Sequence, residues 1–239
     1  MQLIRLFILT LSVLIFVACR QTATKETSKL NNRNISETGE LVPINFSDTN
    51  YSDLTSYAVD TTTIGGWSIR YFVKDDSTRY KDLYISCSRG NIKSTFRADN
   101  VLKFRRYFIP EFKTETKTNI YFTHGCATDC SAILVFEKDS IATFTDYSQV
   151  VKYNFEFGQI LYVTDSSYKD EDKIYELALV DVSKRKTHKL TFHGICDGVY
   201  KPACVDTVIF KKDNVSVTVK LRKNIESIDQ TKQIKTVRL

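Results

Sequence analysis

Phe122-Thr123-His124-Gly125-Cys126-Ala127-Thr128-Asp129-Cys130, continued by Ile133-Leu134-Val135-Phe136-Glu137-Lys138-Asp139-Ser140-Ile141, has a counterpart later in the chain. That counterpart is Thr191-Phe192-His193-Gly194-Ile195-Cys196, then Cys204, then Thr207-Val208-Ile209-Phe210-Lys211-Lys212-Asp213-Asn214-Val215. From Cys130 and Cys204 onward the two align without a gap, 74 residues apart, with Phe136 on Phe210, Lys138 on Lys212 and Asp139 on Asp213. Each copy reads strand, His-Gly, cysteine, short loop, cysteine, hairpin. Self-similarity at a fixed period marks a recurring structural unit. The repeat of about 70 residues predicts two similar β units, near 67–146 and 150–222, in one domain.

Outward from the repeat the same chemistry continues. Short apolar or alternating runs suit strands. They cover 67–73, 80–87, 91–97, 103–109, 119–123, 132–137, 141–146, 150–157, 159–164, 173–182, 187–192, 207–211 and 215–222. Polar turns separate them, among them Lys74-Asp75-Asp76-Ser77, Arg89-Gly90-Asn91, Lys138-Asp139-Ser140 and Lys212-Asp213-Asn214. With 15 Phe, 13 Tyr, 8 Gly and 3 Pro, the composition favours strands and a substantial core. The expected fold is all-β: an antiparallel meander forming a sandwich or a small, irregular propeller-like assembly. The tail from Asn224 to Leu239 reads equally as strand or short helix.

The N-terminal segment has a different character. Arg5 precedes an apolar run from Leu6 to Val17, broken only by Thr10 and Ser12. The run is shorter than the roughly 20 residues a spanning helix needs and matches a secretory signal. It ends Phe16-Val17-Ala18-Cys19. Those residues resemble the lipobox of bacterial lipoproteins, with Phe16 where leucine is usual. The resemblance covers the first 19 residues. It implies a signal peptide at 1–18, acylation of Cys19 (palmitate among the chains) and attachment to a lipid bilayer. The expected location is the cell envelope, the outer membrane rather than the inner, with the domain outside the cytoplasm. Residues 19–40 are then the lipidated cysteine and a polar tether, too poor in apolar side chains to fold alone. Residues 41–239 form the β-rich domain.

The segment Gly125-Cys126-Ala127-Thr128-Asp129-Cys130, with the strand Ala132 to Phe136, is also similar to a loop in uncharacterised exported bacterial proteins. Over about 30 residues that resemblance implies an exported β protein with a local disulfide and carries no activity.

Apart from Cys19, the cysteines are Cys87, Cys126, Cys130, Cys196 and Cys204. Disulfides persist outside the cytoplasm. The repeat pairs Cys126 with Cys130 and Cys196 with Cys204, leaving Cys87 as a buried thiol. The competing reading is metal: His124, Cys126 and Cys130 in one copy, His193, Cys196 and Cys204 in the other, all types that zinc accepts. Their spacings match no standard finger, and an oxidising compartment opposes free thiolates. No cofactor is expected.

Catalytic signatures are absent: no Gly-x-Ser-x-Gly elbow, phosphate loop, His-Glu-x-x-His or dinucleotide fingerprint. The chain holds three histidines. His124 and His193 read as structural, each followed by a glycine suited to a turn at positive φ, and His188 lies in a basic hairpin. The acidic run Asp165 to Asp172 lacks the ladder and central glycine of a calcium loop.

The charge of +6 is concentrated in Lys184-Arg185-Lys186 and in 211–239. Lysine on solvated turns and an edge strand accounts for it more simply than an acidic partner does. Nucleic acid is excluded by export. The resulting expectation is a non-enzymatic, membrane-anchored binding module whose partner is an envelope protein or glycan. The alternative is a metal-dependent protein or hydrolase using the His/Cys loops.

Overall fold

The computed structural model describes residues 40–239 apart from 46, 49–50, 52–57, 75–82, 99–105, 128, 140, 169–173 and 198–199. The expected signal segment, Cys19 and the tether up to residue 39 lie outside the described residues. All described residues belong to one compact unit.

That unit is all-β, with no α-helix among the described residues. Its strands fall into four antiparallel sheets taken in chain order. The first holds β1 (Leu41–Pro43), β2 (Thr61–Thr62), β3 (Ser68–Lys74), β4 (Leu83–Arg89) and β5 (Ile92–Ala98). The second is β6 (Glu111–Glu115), β7 (Asn119–Ala127), β8 (Cys130–Glu137) and β9 (Phe144–Tyr147). The third is β10 (Val150–Asn154), β11 (Gln159–Val163), β12 (Ile174–Asp181) and β13 (Lys186–His193). The fourth is β14 (Val205–Phe210), β15 (Asn214–Arg222) and β16 (Gln230–Arg238). From the second sheet on, each strand pairs with its sequence neighbours within its sheet, as short turns between antiparallel strands demand.

Side-chain alternation then builds the core. Along β7 and β8, Ile120, Phe122, Leu134 and Phe136 face the first sheet and bury against Trp67, Ile69, Leu83, Ile85 and Cys87. Trp67 meets Phe136 edge to face, ring centroids 5.0 Å apart. The intervening residues Tyr121, Ile133 and Val135 face the third sheet, against Val150, Ile160, Val180 and Val182. The third sheet's other face, including Leu177, Leu179, Leu190 and Phe192, buries Val215, Val217, Val219 and Leu221 of β15. Successive sheets therefore stack face on face, and the second and third are apolar on both sides. Each fully buried large apolar side chain contributes roughly 1.5–3 kcal/mol. Among the described residues, no core cluster joins the first sheet to the fourth. Within the described residues the assembly is a succession of antiparallel meanders, each sheet packed on the next.

Two expectations change. The run 103–109 is not a strand where it is described: Arg106–Phe108 forms a 3-10 turn that brings Ile109 into the core. The tail resolves into strand β16, bonded along its whole length to β15. The two copies of the repeat also occupy different places. The first is the β7–β8 hairpin inside one sheet, whereas the second runs from β13, the edge of the third sheet, into β14 of the fourth. The local order of strand, His-Gly, two cysteines and strand is shared, while the larger structural unit is the individual sheet.

Candidate functional site

Alternating strand directions sort the connections to two ends of the stack. One end carries the short turns around 64–66, 116–118, 138–143, 155–158, 183–185 and 211–213. It is riveted by polar contacts between sheets. Gly65 N–H donates to Glu115 Oε2 (2.8 Å), and Lys138 Nζ lies 2.7 Å from Glu115 Oε1. Burial opposes the Glu115 charge, yet bonds from Lys138, Gly65 and Thr63 outweigh it and hold its carboxyl below the usual carboxylate range. Arg185 reaches from the β12–β13 turn to Glu137 and Asp139 of the second sheet. Gln159 Nε2 donates to Lys211 O (3.0 Å).

The opposite end carries the longer connections and both disulfides. Cys126–Cys130 closes the tip of the β7–β8 hairpin with Cα atoms 5.1 Å apart, and Asp129 in that tip has φ 58°. Left-handed backbone is several-fold enriched in Asp among non-glycine residues. Cys196–Cys204, Cα atoms 5.7 Å apart, closes the connection between β13 and β14. Paired as disulfides, the four sulfurs no longer offer the thiolates of the His124/Cys126/Cys130 and His193/Cys196/Cys204 metal alternative. Among the described residues, no cluster of His, Cys, Asp and Glu is arranged to hold a metal ion.

The histidines of the repeat also diverge. His124 Nδ1 is 2.7 Å from Gly125 O and Nε2 is 2.9 Å from Asp146 Oδ1 on β9. Burial alone lowers an imidazole pKa. Here the Asp146 carboxylate and the Gly125 carbonyl outweigh burial and hold His124 above the usual histidine value. His193 is exposed, and its backbone N–H and carbonyl are engaged by the side-chain amide of Gln233 on β16. His188, on β13, is held below the usual value by burial and by Lys186.

The glycines that follow differ in kind. Gly194 sits at φ +138°, and a Cβ there would lie 2.7 Å from Arg222 O. Gly125 instead continues β7: what it needs is room, because a Cβ would lie 3.0 Å from Tyr107 O. The expectation of two positive-φ turns holds only for Gly194.

Arg222, at the end of β15, organises the second loop. Its backbone N–H donates to Ile195 O (3.0 Å) and its carbonyl accepts from Ile195 N–H (2.8 Å). Its guanidinium pairs with Asp197 and donates from Nη1 to Ile225 O (3.3 Å) and Ser227 O (3.1 Å). The disulfide loop and the β15–β16 loop are thereby one body. Lys201, buried in the disulfide loop, donates to Cys196 O (2.9 Å), and its own carbonyl accepts from Tyr175 Oη (2.8 Å). On these two loops Tyr200, Ile225 and Ile228 are exposed, and Tyr107 is exposed beside Gly125 at the first disulfide hairpin. The sequence reading missed Asp146 and Arg222, since 22 and 25 residues separate them from His124 and Asp197 and no spacing rule links them.

The thiol of Cys87 lies in the core between the first and second sheets, fully buried. Burial pushes its pKa up, which opposes thiolate chemistry.

No protein-family model matches the chain, and no curated protein matches it in sequence. Among solved structures it is similar to the β-propeller domain of the Trilobed protease from Pyrococcus furiosus, described as having an open velcro topology. The identity is 13%, the match covers 77% of this chain and 56% of that one, and the TM-score is 0.32. Similarity at that level carries no argument about the activity of this chain.

Proposed function

We propose that this protein is an exported, lipid-anchored recognition module of the cell envelope, without catalytic activity, and that the disulfide-bearing end of its sheets is the recognition surface. The observation that carries the reading is the collection of both disulfides at one end of a rigid β stack, with exposed Tyr and Ile side chains beside them. Loops fixed by a rigid frame are where binding surfaces reside, and pre-ordering removes part of the entropic cost of association. Disulfides agree with export. Ala18-Cys19 behind a short apolar run supports acylation at Cys19 and anchoring to the outer membrane. The partner is an envelope protein or glycan.

The test is site-specific photo-crosslinking in the intact organism. Probes at Tyr200 and Ile225 should capture a discrete partner, whereas probes at Ile64 and Ile141, exposed at the other end, should not. Equal capture from both ends, or none from Tyr200 and Ile225, would sink the assignment of the surface.

A further inference from the structure

The fourth sheet has three strands where the second and third have four. Its outer strand β16 runs nine residues, Gln230–Arg238, and no described residue pairs with its far edge. In an antiparallel ladder every second residue of such a strand turns its N–H and C=O away from its partner. Among the described residues nothing occupies that row of main-chain donors and acceptors along β16, a ready template for another strand.

The side chains on this edge are selective. Lys232, Lys235 and Arg238 give the strand three cations, and it contains no acid. Register with β15 sets which face each one occupies. Thr218 opposite Ile234, Lys220 opposite Lys232 and Ser216 opposite Thr236 lie on the face turned away from the core. Thus Lys232, Ile234, Thr236 and Arg238 line the outer face, with Ile234 68% exposed. Lys235, on the other face, sits over the Phe192 ring with Nζ 5.4 Å from its centroid. A second copy of β16 would bring Lys232 and Arg238 of each copy together on the outer face, offset only by Asp206 of β14, 3.4 Å from Lys232, so like charge opposes self-pairing.

We infer that β16 is a docking edge for an extended acidic segment of a partner protein, which adds as a fourth strand. Main-chain bonds supply the pairing and the side chains the choice. The segment places acids beside Lys232 and Arg238 and an apolar side chain beside Ile234. This edge is separate from the loop surface proposed above, and neither depends on the other.

The probe is a nine-residue peptide of alternating Glu and Val, with an alternating Lys and Val peptide as its counterpart, added to the full chain. Binding is read by fluorescence anisotropy of the labelled peptide, and location by amide hydrogen exchange. The Glu/Val peptide should bind, slow exchange across residues 230–238 and lose affinity as salt is raised. Lys232→Gln/Arg238→Gln should weaken it about tenfold or more, and because the Lys232–Asp206 pair it also removes is solvent-exposed the melting curve should shift little. Ile234→Thr gives a second, milder variant that keeps strand propensity and should weaken binding too. The inference is overturned if the Glu/Val peptide fails to bind or to slow exchange there, or if the Lys/Val peptide binds as well. It is equally overturned if β16 is already protected in the full chain and is released by removing residues 20–39 or by dilution. Those last results would give the edge to the chain's own tether or to a second copy.

Discussion

The imidazole of His124 is held between two acceptors, Gly125 O on its Nδ1 side and the Asp146 carboxylate 2.9 Å from Nε2. Two acceptors call for two N–H donors, and only the imidazolium has both. The His124 side chain is 9% exposed and that of Asp146 31%, so this charge pair is largely withdrawn from solvent. It joins β7 to β9 across β8, next to the Cys126–Cys130 tip.

The contribution of His124 to stability should therefore fall as the pH rises. The folded pKa of His124 is raised above its unfolded value, so the folded state holds the proton more tightly. The contribution is complete below about pH 6.5, the unfolded value, and is lost as pH climbs through the higher folded value. Urea unfolding at pH 5.5 and pH 8.5 checks this. Asp146→Asn should cost about 2 kcal/mol at the lower pH and less at the higher, and should flatten the pH dependence. An unchanged slope in the variant would place the titration elsewhere.

Each disulfide constrains a short loop, with separations of 4 and 8 residues. By loop-closure entropy, Cys126–Cys130 contributes about 2 kcal/mol and Cys196–Cys204 about 2.5 kcal/mol. Replacing each pair by Ala and measuring unfolding midpoints should reproduce that order. Because Arg222 ties the second loop to the β15–β16 loop, loss of Cys196–Cys204 should also speed amide exchange in 223–229, while loss of Cys126–Cys130 should not.

Gly194→Ala should destabilise the fold by about 1–3 kcal/mol, since it combines a positive φ with a Cβ placed against Arg222 O. Gly90→Ala, at φ +58° with open space around it, isolates the backbone effect and should cost less. Thermal melts of the two variants compare them directly. An equal cost would remove the close approach from the account.

Phe136→Ala should cost about 3–5 kcal/mol by leaving a cavity beneath Trp67 and Phe144. Arg185→Ala should cost far less despite two ion-pair partners, because the guanidinium is solvated. Chemical denaturation of both variants tests which kind of contact joins the first three sheets.

The strands with one apolar face were legible in the sequence. Ser68–Lys74 and Asn214–Arg222 alternate buried and half-buried residues, and the doubly covered strands β8 and β12 read as apolar runs. Glu111–Glu115 and Gln230–Arg238 were not, because neither buries a residue deeply and their conformation comes from the neighbouring strand. The apolar run through Phe108 misled for the opposite reason: its burial belongs to a connection lying over the core. The cysteine pairing followed from the repeat, but its sheet context did not, since a hairpin tip and a connection between sheets have the same local order of residues.

Intact mass of the protein purified from membranes of its own organism, before and after reduction and alkylation, tests the central claim most directly. An exported, lipid-anchored, doubly cross-linked domain predicts a chain beginning at Cys19 with acyl mass added. One thiol, Cys87, should be alkylated after unfolding without reductant, and five after reduction. A chain with unmodified Cys19, or with Cys126, Cys130, Cys196 and Cys204 all free before reduction, would contradict it.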